Sequence, residues 1–328
     1  MDNRGRREEY IDKDRYNQQL QRYGTKKVLR NLETGGVKGK YAIIEELSDL
    51  YPVTLLCELL DVWRSTYYRY LKRKKADPDG IIKQRIKTIY LQRERTYGYR
   101  RIQGELERQY NETVNHKKVL RMMQEMGIRS IIRVKRPYFN NYQTAHSDGR
   151  VSPNLLDREF TATKPNLKWV TDITQYRIGE QRLYLSAIKD LCGNDIVAFH
   201  ISTRNDNELV LNTFAKAFKQ HKDASGKIAD LIVHSDQGSQ YTSHEYHNLI
   251  PKVGAQISMS RRGNCIDNAA MESFFSHLKT EALYPYDISS ISEAQQRIEE
   301  FIRFYNNERI QIKLKKQTPI EYRLQFTA

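Results

Sequence analysis

The sequence predicts an α/β layered domain preceded by all-α modules. Two observations carry this: the order of hydrophobic patterns along the chain and an uneven distribution of charge. The chain has 328 residues, 39% of them apolar, and a formal net charge of +15, enough for two or more domains. Residues 1–150 hold 33 Lys and Arg against 19 Asp and Glu, whereas residues 151–328 hold 22 against 21. A basic excess confined to one half suits a polyanion-binding module joined to a neutral globular one, because counterion release rewards Lys and Arg only where phosphates are met. No run is long and apolar enough for a membrane span, and the N-terminus lacks a signal-peptide core, so a cytoplasmic protein is expected. The three cysteines, Cys57, Cys192 and Cys265, lie far apart, which offers neither a disulfide framework nor a CxxC zinc site.

Residues 1–40, polar and carrying Gly35-Gly36, read as a flexible basic arm. Residues 41–76 read as two short helices around a turn near Asp61-Val62, a helix-turn-helix pattern. Its second helix is expected to carry Arg64, Tyr67 and Arg69 outward and to tuck Tyr68 and Leu71 inward; an ordinary helical hairpin has the same pattern. After Asp77-Pro78-Asp79-Gly80, residues 77–137 read as a second helical module, with apolar stripes at Ile82, Ile86 and Ile89, at Ile102 and Leu106, and at Val119, Met122, Met123 and Met126. Arg100, Arg101, Lys117, Lys118 and Arg121 cluster there and favour backbone contacts to DNA over a merely solvated face. Residues 138–164, without periodicity, read as a linker.

The remaining residues, 165–328, change character. Trp169 to Ile178, Gln181 to Ile188 and Asp195 to Ser202 are β-favouring runs with short breaks, predicting an antiparallel meander. A helical stripe follows (Leu209, Val210, Phe214, Ala217, Phe218), then a buried-type strand at Leu231 to His234. A long helix carries Ile291, Ala294, Ile298, Phe301, Ile302 and Tyr305. Strands, helix, strand and further helices make an α/β layered domain.

Asp172 is the odd residue in an apolar-leaning strand, and Asp236 ends another strand with a glycine behind it. Glu272 lies on a helix whose Ala270, Phe274 and Leu278 form one stripe, with Asn268, Glu272, Ser276 and Lys279 on the opposite one. Three such carboxylates, if they converge, can hold a pair of Mg²⁺ ions roughly 3.5–4 Å apart, the arrangement used in phosphoryl transfer. Among 40 acidic residues, however, Asp190, Asp195 and Asp267 compete for the role.

Three segments decide the choice by likeness. They are Trp169-Val170-Thr171-Asp172-Ile173-Thr174, His234-Ser235-Asp236-Gln237-Gly238-Ser239-Gln240-Tyr241, and Gly263-Asn264-Cys265-Ile266-Asp267-Asn268-Ala269-Ala270-Met271-Glu272-Ser273-Phe274-Phe275, with 35 residues between Asp236 and Glu272. They resemble the acidic motifs of bacterial insertion-sequence transposases of the DDE type with a retroviral-integrase-like core, the insertion-sequence-three group, second-frame product. Tyr97-Gly98-Tyr99-Arg100-Arg101 and Val114-Asn115-His116-Lys117-Lys118-Val119-Leu120-Arg121 resemble the family's second helical DNA-binding module, and Tyr305-Asn306-Asn307-Glu308-Arg309 its C-terminal end.

The resemblance implies a ribonuclease-H-like core, a mixed five-stranded sheet flanked by helices, after helix-turn-helix DNA-binding modules. It implies Asp172, Asp236 and Glu272 as the catalytic, metal-binding residues, with two Mg²⁺ ions that Mn²⁺ replaces, and Lys279 as a contact to the transposon end. The implied activity is binding of terminal inverted repeats followed by DNA cleavage and strand transfer. The implied partners are transposon-end and target DNA, further copies of the chain, and an upstream-frame helix-turn-helix product; residues 1–40 show no heptad of their own. A small hydroxyl residue caps the reading helix in members of the group, where this chain has Trp63. Two other function classes compete: a catalytically idle DNA-binding regulator of the element's ends, and a ribonuclease acting on RNA–DNA hybrids.

Overall fold

The computed structural model describes residues 36–132, 150–261 and 265–326. The expected arm at residues 1–40 lies outside them except for its last five residues, which are already helical. Contacts divide the chain between residues 84 and 85. In the first unit, α1 (Gly36–Leu47), α2 (Val53–Leu59) and α3 (Arg64–Ala76) enclose a core of Ile43, Ile44, Leu47, Leu56, Cys57, Leu60 and Tyr67. Asp61 turns the chain between α2 and α3 at φ +49°, and Val62 N–H closes the turn onto the Cys57 carbonyl at 2.8 Å. At its other end α3 closes with Asp77 in the left-handed region behind Arg73, Lys74 and Lys75, which complement the negative end of the helix dipole.

One expectation reverses here. Tyr67 is 2% exposed and Tyr68 51%. With α3 starting at Arg64, the inward stripe runs through Tyr67, Tyr70 and Leu71 at helical spacing, so Tyr68 joins Arg64 and Arg69 on the outer face.

The second unit opens with the C-terminal part of α4 (Gly80–Gln92), followed by α5 (Tyr99–Tyr110) and α6 (His116–Glu125). Ile102, Leu106, Val119, Met122 and Met123 are buried as their spacing predicts. The Asn115 side chain caps α6 by accepting Lys117 N–H at 2.8 Å. Residues 85–132 belong to the same compact unit as the α/β domain.

In that domain β1 (Lys168–Ile178), β2 (Gln181–Asp190) and β3 (Ile196–Ser202) form the expected meander. After α7 (Asn207–His221), β4 (Ile232–Ser235) pairs parallel to β1 on its other side. After α8 (His244–Leu249), β5 (Gln256–Met259) adds parallel to β4. The sheet order β3-β2-β1-β4-β5 is that of a ribonuclease-H-like fold. The fifth strand is four residues long and was not singled out by pattern; Gly254 at φ +78° leads the chain into it. Then come α9 (Ala269–Leu278), a single widened π turn (Lys279–Leu283), α10 (Ile291–Asn307) and α11 (Pro319–Leu324).

Strand alternation sorts β1 onto two cores. Trp169 joins Phe214, Phe218, Val233 and Tyr246 on the α7 and α8 face, whereas Val170 joins Phe274, Leu278, Ile298 and Phe301 on the α9 and α10 face. Residues 150–164 are not a free linker. Leu156 is buried in the second of these cores, and the Leu155 and Leu156 N–H groups both donate to Ser258 Oγ, at 2.9 and 3.3 Å. Among the described residues, no helix is long and apolar enough to cross a membrane.

Candidate active site

Strand register brings the first two carboxylates level. Val170 pairs with His234 in the parallel β1/β4 ladder, and Asp172 and Asp236 each stand two residues farther on. The period of two places Asp172 on the same face as Val170, the face covered by α9, whose first turn carries Glu272. A connection from α9 back to β1 is direct: the Asn268 side chain, just before α9, donates to the Thr171 carbonyl at 3.1 Å. Asn268 is therefore buried, not on the outward stripe with Glu272 and Ser276 as the helical wheel suggested; it precedes the first helical residue, so the wheel does not apply to it.

The electrostatics follow from this convergence. Burial and the facing Asp236 carboxylate push Asp172 up to about 8; Glu272 adds in the same direction, and the Ile173 N–H bond and Lys279 oppose it. Burial raises Asp236 against a hydrogen bond from Gly238 N–H at 2.9 Å. A Cβ at Gly238 would stand 3.0 Å from Asp236 Oδ1, a tight approach that would press on the carboxylate. Burial also raises Glu272, although its side chain stays exposed. Lys279 is half-buried; burial lowers its pKa and the Asp172 charge resists. Among the described residues, no three His, Cys, Asp or Glu side chains form a metal-holding group. Asp236 and Glu272 both act on Asp172, and for each of these two carboxyls burial is the cause that raises it.

Behind the carboxylates the packing is polar, although Asn268 Oδ1 is buried without a hydrogen-bond partner among the described residues. Tyr241, 1% exposed, lies 3.2 Å from Thr171 Oγ1, which donates to the Ala187 carbonyl at 3.0 Å. Ser258 Oγ accepts two backbone N–H groups, so its own hydrogen goes to His234 Nδ1 at 2.8 Å. His234 Nε2–H then donates to the Asp267 carbonyl at 3.0 Å. Burial lowers the pKa of His234, in keeping with this neutral tautomer.

The competing acids are paired with arginines. Burial pushes Asp267 upward, but Arg261 and Arg158 outweigh it and hold the carboxyl well below the usual range; Arg158 Nε donates at 2.9 Å, and the Arg261 backbone N–H and Nε at 3.1 and 3.2 Å. Asp190 and Asp195 both accept from Arg323 Nη1, at 3.2 and 3.0 Å, and Asp190 also takes Trp169 Nε1–H and the Cys192 N–H. These bonds tie α11 to the ends of β2 and β3.

The candidate DNA-contacting side chains divide. Arg64, Arg69, Arg100, Lys117 and Arg121 are exposed and Lys118 is half-buried; Arg121 lies 3.5 Å from Glu125 within α6. Tyr67 is in the core. Arg101 is turned inward, donating to the buried Glu281 at 3.0 Å, so its guanidinium is not presented to a phosphate. Composition missed Glu281, Asn268 and Tyr241; nothing in the local sequence Leu278-Lys279-Thr280-Glu281-Ala282-Leu283, polar at three of its four inner positions, marks Glu281 as buried.

Models described as "Integrase core domain" match residues 162–265 and 272–326, and one described as "HTH-like domain" matches residues 77–136. The chain is 40% identical to a protein named as transposase InsK for insertion sequence element IS150 of Escherichia coli (strain K12), over 86% of this chain and 97% of that protein. It is 36% identical to the transposase for insertion sequence element IS904 of Lactococcus lactis subsp. lactis (strain IL1403), over 74% and 93%. Among solved structures, the HTLV-2 integrase catalytic core domain in complex with magnesium aligns at 16% identity and a TM-score of 0.39, covering 49% of this chain and 98% of that one.

Proposed function

This chain belongs to the bacterial insertion-sequence transposases of the insertion-sequence-three type, and from that premise we propose that it binds the terminal inverted repeats of its element and catalyses DNA cleavage and strand transfer at Asp172, Asp236 and Glu272. The carrying observation is that Asp172 and Asp236 stand at matching positions, each two residues beyond the paired Val170 and His234 of adjacent parallel strands, and that α9, packed on the Val170 face, carries Glu272 in its first turn. Such concentrated negative charge, presented by oxygen ligands alone, suits a hard divalent cation, Mg²⁺ or Mn²⁺. When bound, the metal supplies Lewis acidity toward the attacking and leaving oxygens of a phosphodiester.

The chain's own residues do the rest. Burial and the Asp236 charge make Asp172 hold its proton more readily than an ordinary carboxyl, and a bound cation would favour its ionised form. Asn268 and the Thr171–Tyr241 contact hold the backbone on which Asp172 sits. Lys279, close to Asp172, offers a positive charge to the phosphate of the strand being cut. Exposed Arg64 and Arg69 on α3, with Arg100, Lys117 and Arg121 on α5 and α6, supply backbone contacts to the repeat. Joining two ends requires two copies, so a homo-oligomer forms on DNA, and an upstream-frame helix-turn-helix product is a further partner.

The test is strand cleavage of end-sequence oligonucleotides with Mg²⁺ or Mn²⁺. Asp236→Asn and Glu272→Gln should each lose at least about a hundredfold in rate while binding the oligonucleotide normally. Variants that cut as well as wild type refute the assignment.

A further inference from the structure

The Tyr97–Arg101 segment, basic and aromatic enough to suggest DNA, faces the protein's own interior. Tyr97 is fully buried, 6.5 Å from the Phe304 ring, and the Arg101 guanidinium lies 5.3 Å from the Tyr97 ring. Arg101 Nη1 reaches Glu281 Oε1 at 3.0 Å. The same carboxylate accepts Arg309 Nε at 3.0 Å and Nη2 at 2.8 Å, with His277 Nδ1 at 3.2 Å. Glu281 is 4% exposed and Arg309 3%. An unpaired carboxylate so deeply buried would cost several kcal/mol; here its charge is answered from three separate elements. Burial pushes Glu281 up, but His277 and the two arginines override it and hold its pKa far down.

The neighbouring contacts make this a docked seam. A Cβ on Gly104 would meet Ile310 Cδ1 at 2.6 Å, so α5 lies hard against the segment after α10. Arg93 reaches Glu308 at 2.9 Å, Arg108 is paired with Glu321, and Lys316 with Glu107.

Glu281 sits in the π turn, which the Tyr284 N–H closes onto the Lys279 carbonyl at 2.8 Å. Single π turns inserted after α-helices recur at functional sites. Residues two apart on a helical turn point to opposite sides. Anchoring Glu281 toward Arg101 and Arg309 therefore turns Lys279 away from them, and Lys279 lies near enough to Asp172 of β1 for their charges to interact.

Resting on the transposase reading, we propose that Arg101 is a positioning residue: through the buried Glu281 carboxylate it holds the π turn from which Lys279 reaches toward Asp172 of β1, linking the helical DNA-binding module to the active site. It does so without touching DNA.

The test compares full-length Arg101→Gln, Arg101→Lys and Arg100→Gln with wild type. Without DNA or metal, amide hydrogen exchange over residues 279–284 should be about tenfold faster in Arg101→Gln and unchanged in Arg100→Gln. Unchanged exchange in Arg101→Gln overturns the proposal, whether or not the protein cleaves DNA. With end DNA, Arg101→Gln should bind within about twofold of wild type at an unaltered salt slope, and cut about tenfold more slowly at saturation; Arg101→Lys should regain part of that rate. Weaker binding with a salt slope reduced by about one, at a wild-type saturated rate, makes Arg101 a phosphate contact and overturns the proposal. If wild type itself does not cut, the transposase reading fails, and the exchange measurement still decides the latch.

Discussion

Replacing Asp172 with asparagine should abolish cleavage and yet stabilise the metal-free protein. An aspartate in the unfolded chain loses its proton near pH 4, whereas in the fold Asp172 keeps it to about pH 8. Below pH 4 both states hold the proton and the group does not affect stability. Between pH 4 and 8 the unfolded chain sheds the proton and the folded one retains it, so stability is lost as pH rises through that window; above pH 8 the loss is complete. At pH 7 the interval spans about three pH units at roughly 1.4 kcal/mol each, an upper bound of about 4 kcal/mol. Relaxation of the site and entry of water reduce this to about 1–3 kcal/mol, and each kcal/mol moves the midpoint about 2–4 °C in a domain of this size. Thermal unfolding of wild type and Asp172→Asn, in chelator, at pH 4 and pH 7.5, checks it. The variant should melt higher at pH 7.5 and equally at pH 4, and added Mg²⁺ should raise wild type more than the variant. No gain at pH 7.5, or the same gain at both pH values, would refute the electrostatic account of the site.

Two further predictions concern the first unit. Tyr67→Ala should destabilise it by about 3–5 kcal/mol, since a fully buried aromatic leaves a cavity, while Tyr68→Ala should cost less than about 1 kcal/mol; proteolysis between residues 36 and 84 reads the difference, and equal effects would reverse the inward face assigned to α3. Trp63 is the N-cap of α3, is 82% exposed and makes no side-chain cap. Trp63→Ser should therefore slow amide exchange in the first turn of α3, reflecting about 1 kcal/mol of added stability, and unchanged exchange speaks against an open cap.

Much of the core was legible because periodicity survives folding. The β1 to β3 meander and the buried stripes of α6, α7 and α10 stand where the pattern places them. The short β5 was not, because four residues carry too little alternation to separate strand from turn. Tyr67 and Tyr68 were transposed for a related reason: adjacent tyrosines are interchangeable to a hydropathy count, and the inward one is set by where α3 begins. Arg101 and Arg100, likewise adjacent and chemically identical, serve different surroundings, because only one points at the cavity that Glu281 occupies.

Asp172, Asp236 and Glu272 were nominated by their motifs and spacing, since the chemistry of a carboxylate is carried by the residue itself. Sequence likewise determined the basic character of the first half and the neutral character of the second, properties that are sums over residues. The tertiary structure alone decided which acids meet arginines. Asp267, Asp190 and Asp195 are as acidic on paper as Asp172, but guanidinium groups from Arg158, Arg261 and Arg323 reach them across gaps of six to more than a hundred residues. Ion pairing falls off over a few ångströms of space and is indifferent to distance along the chain, which is why a linear reading could nominate the acids and only the fold could sort them.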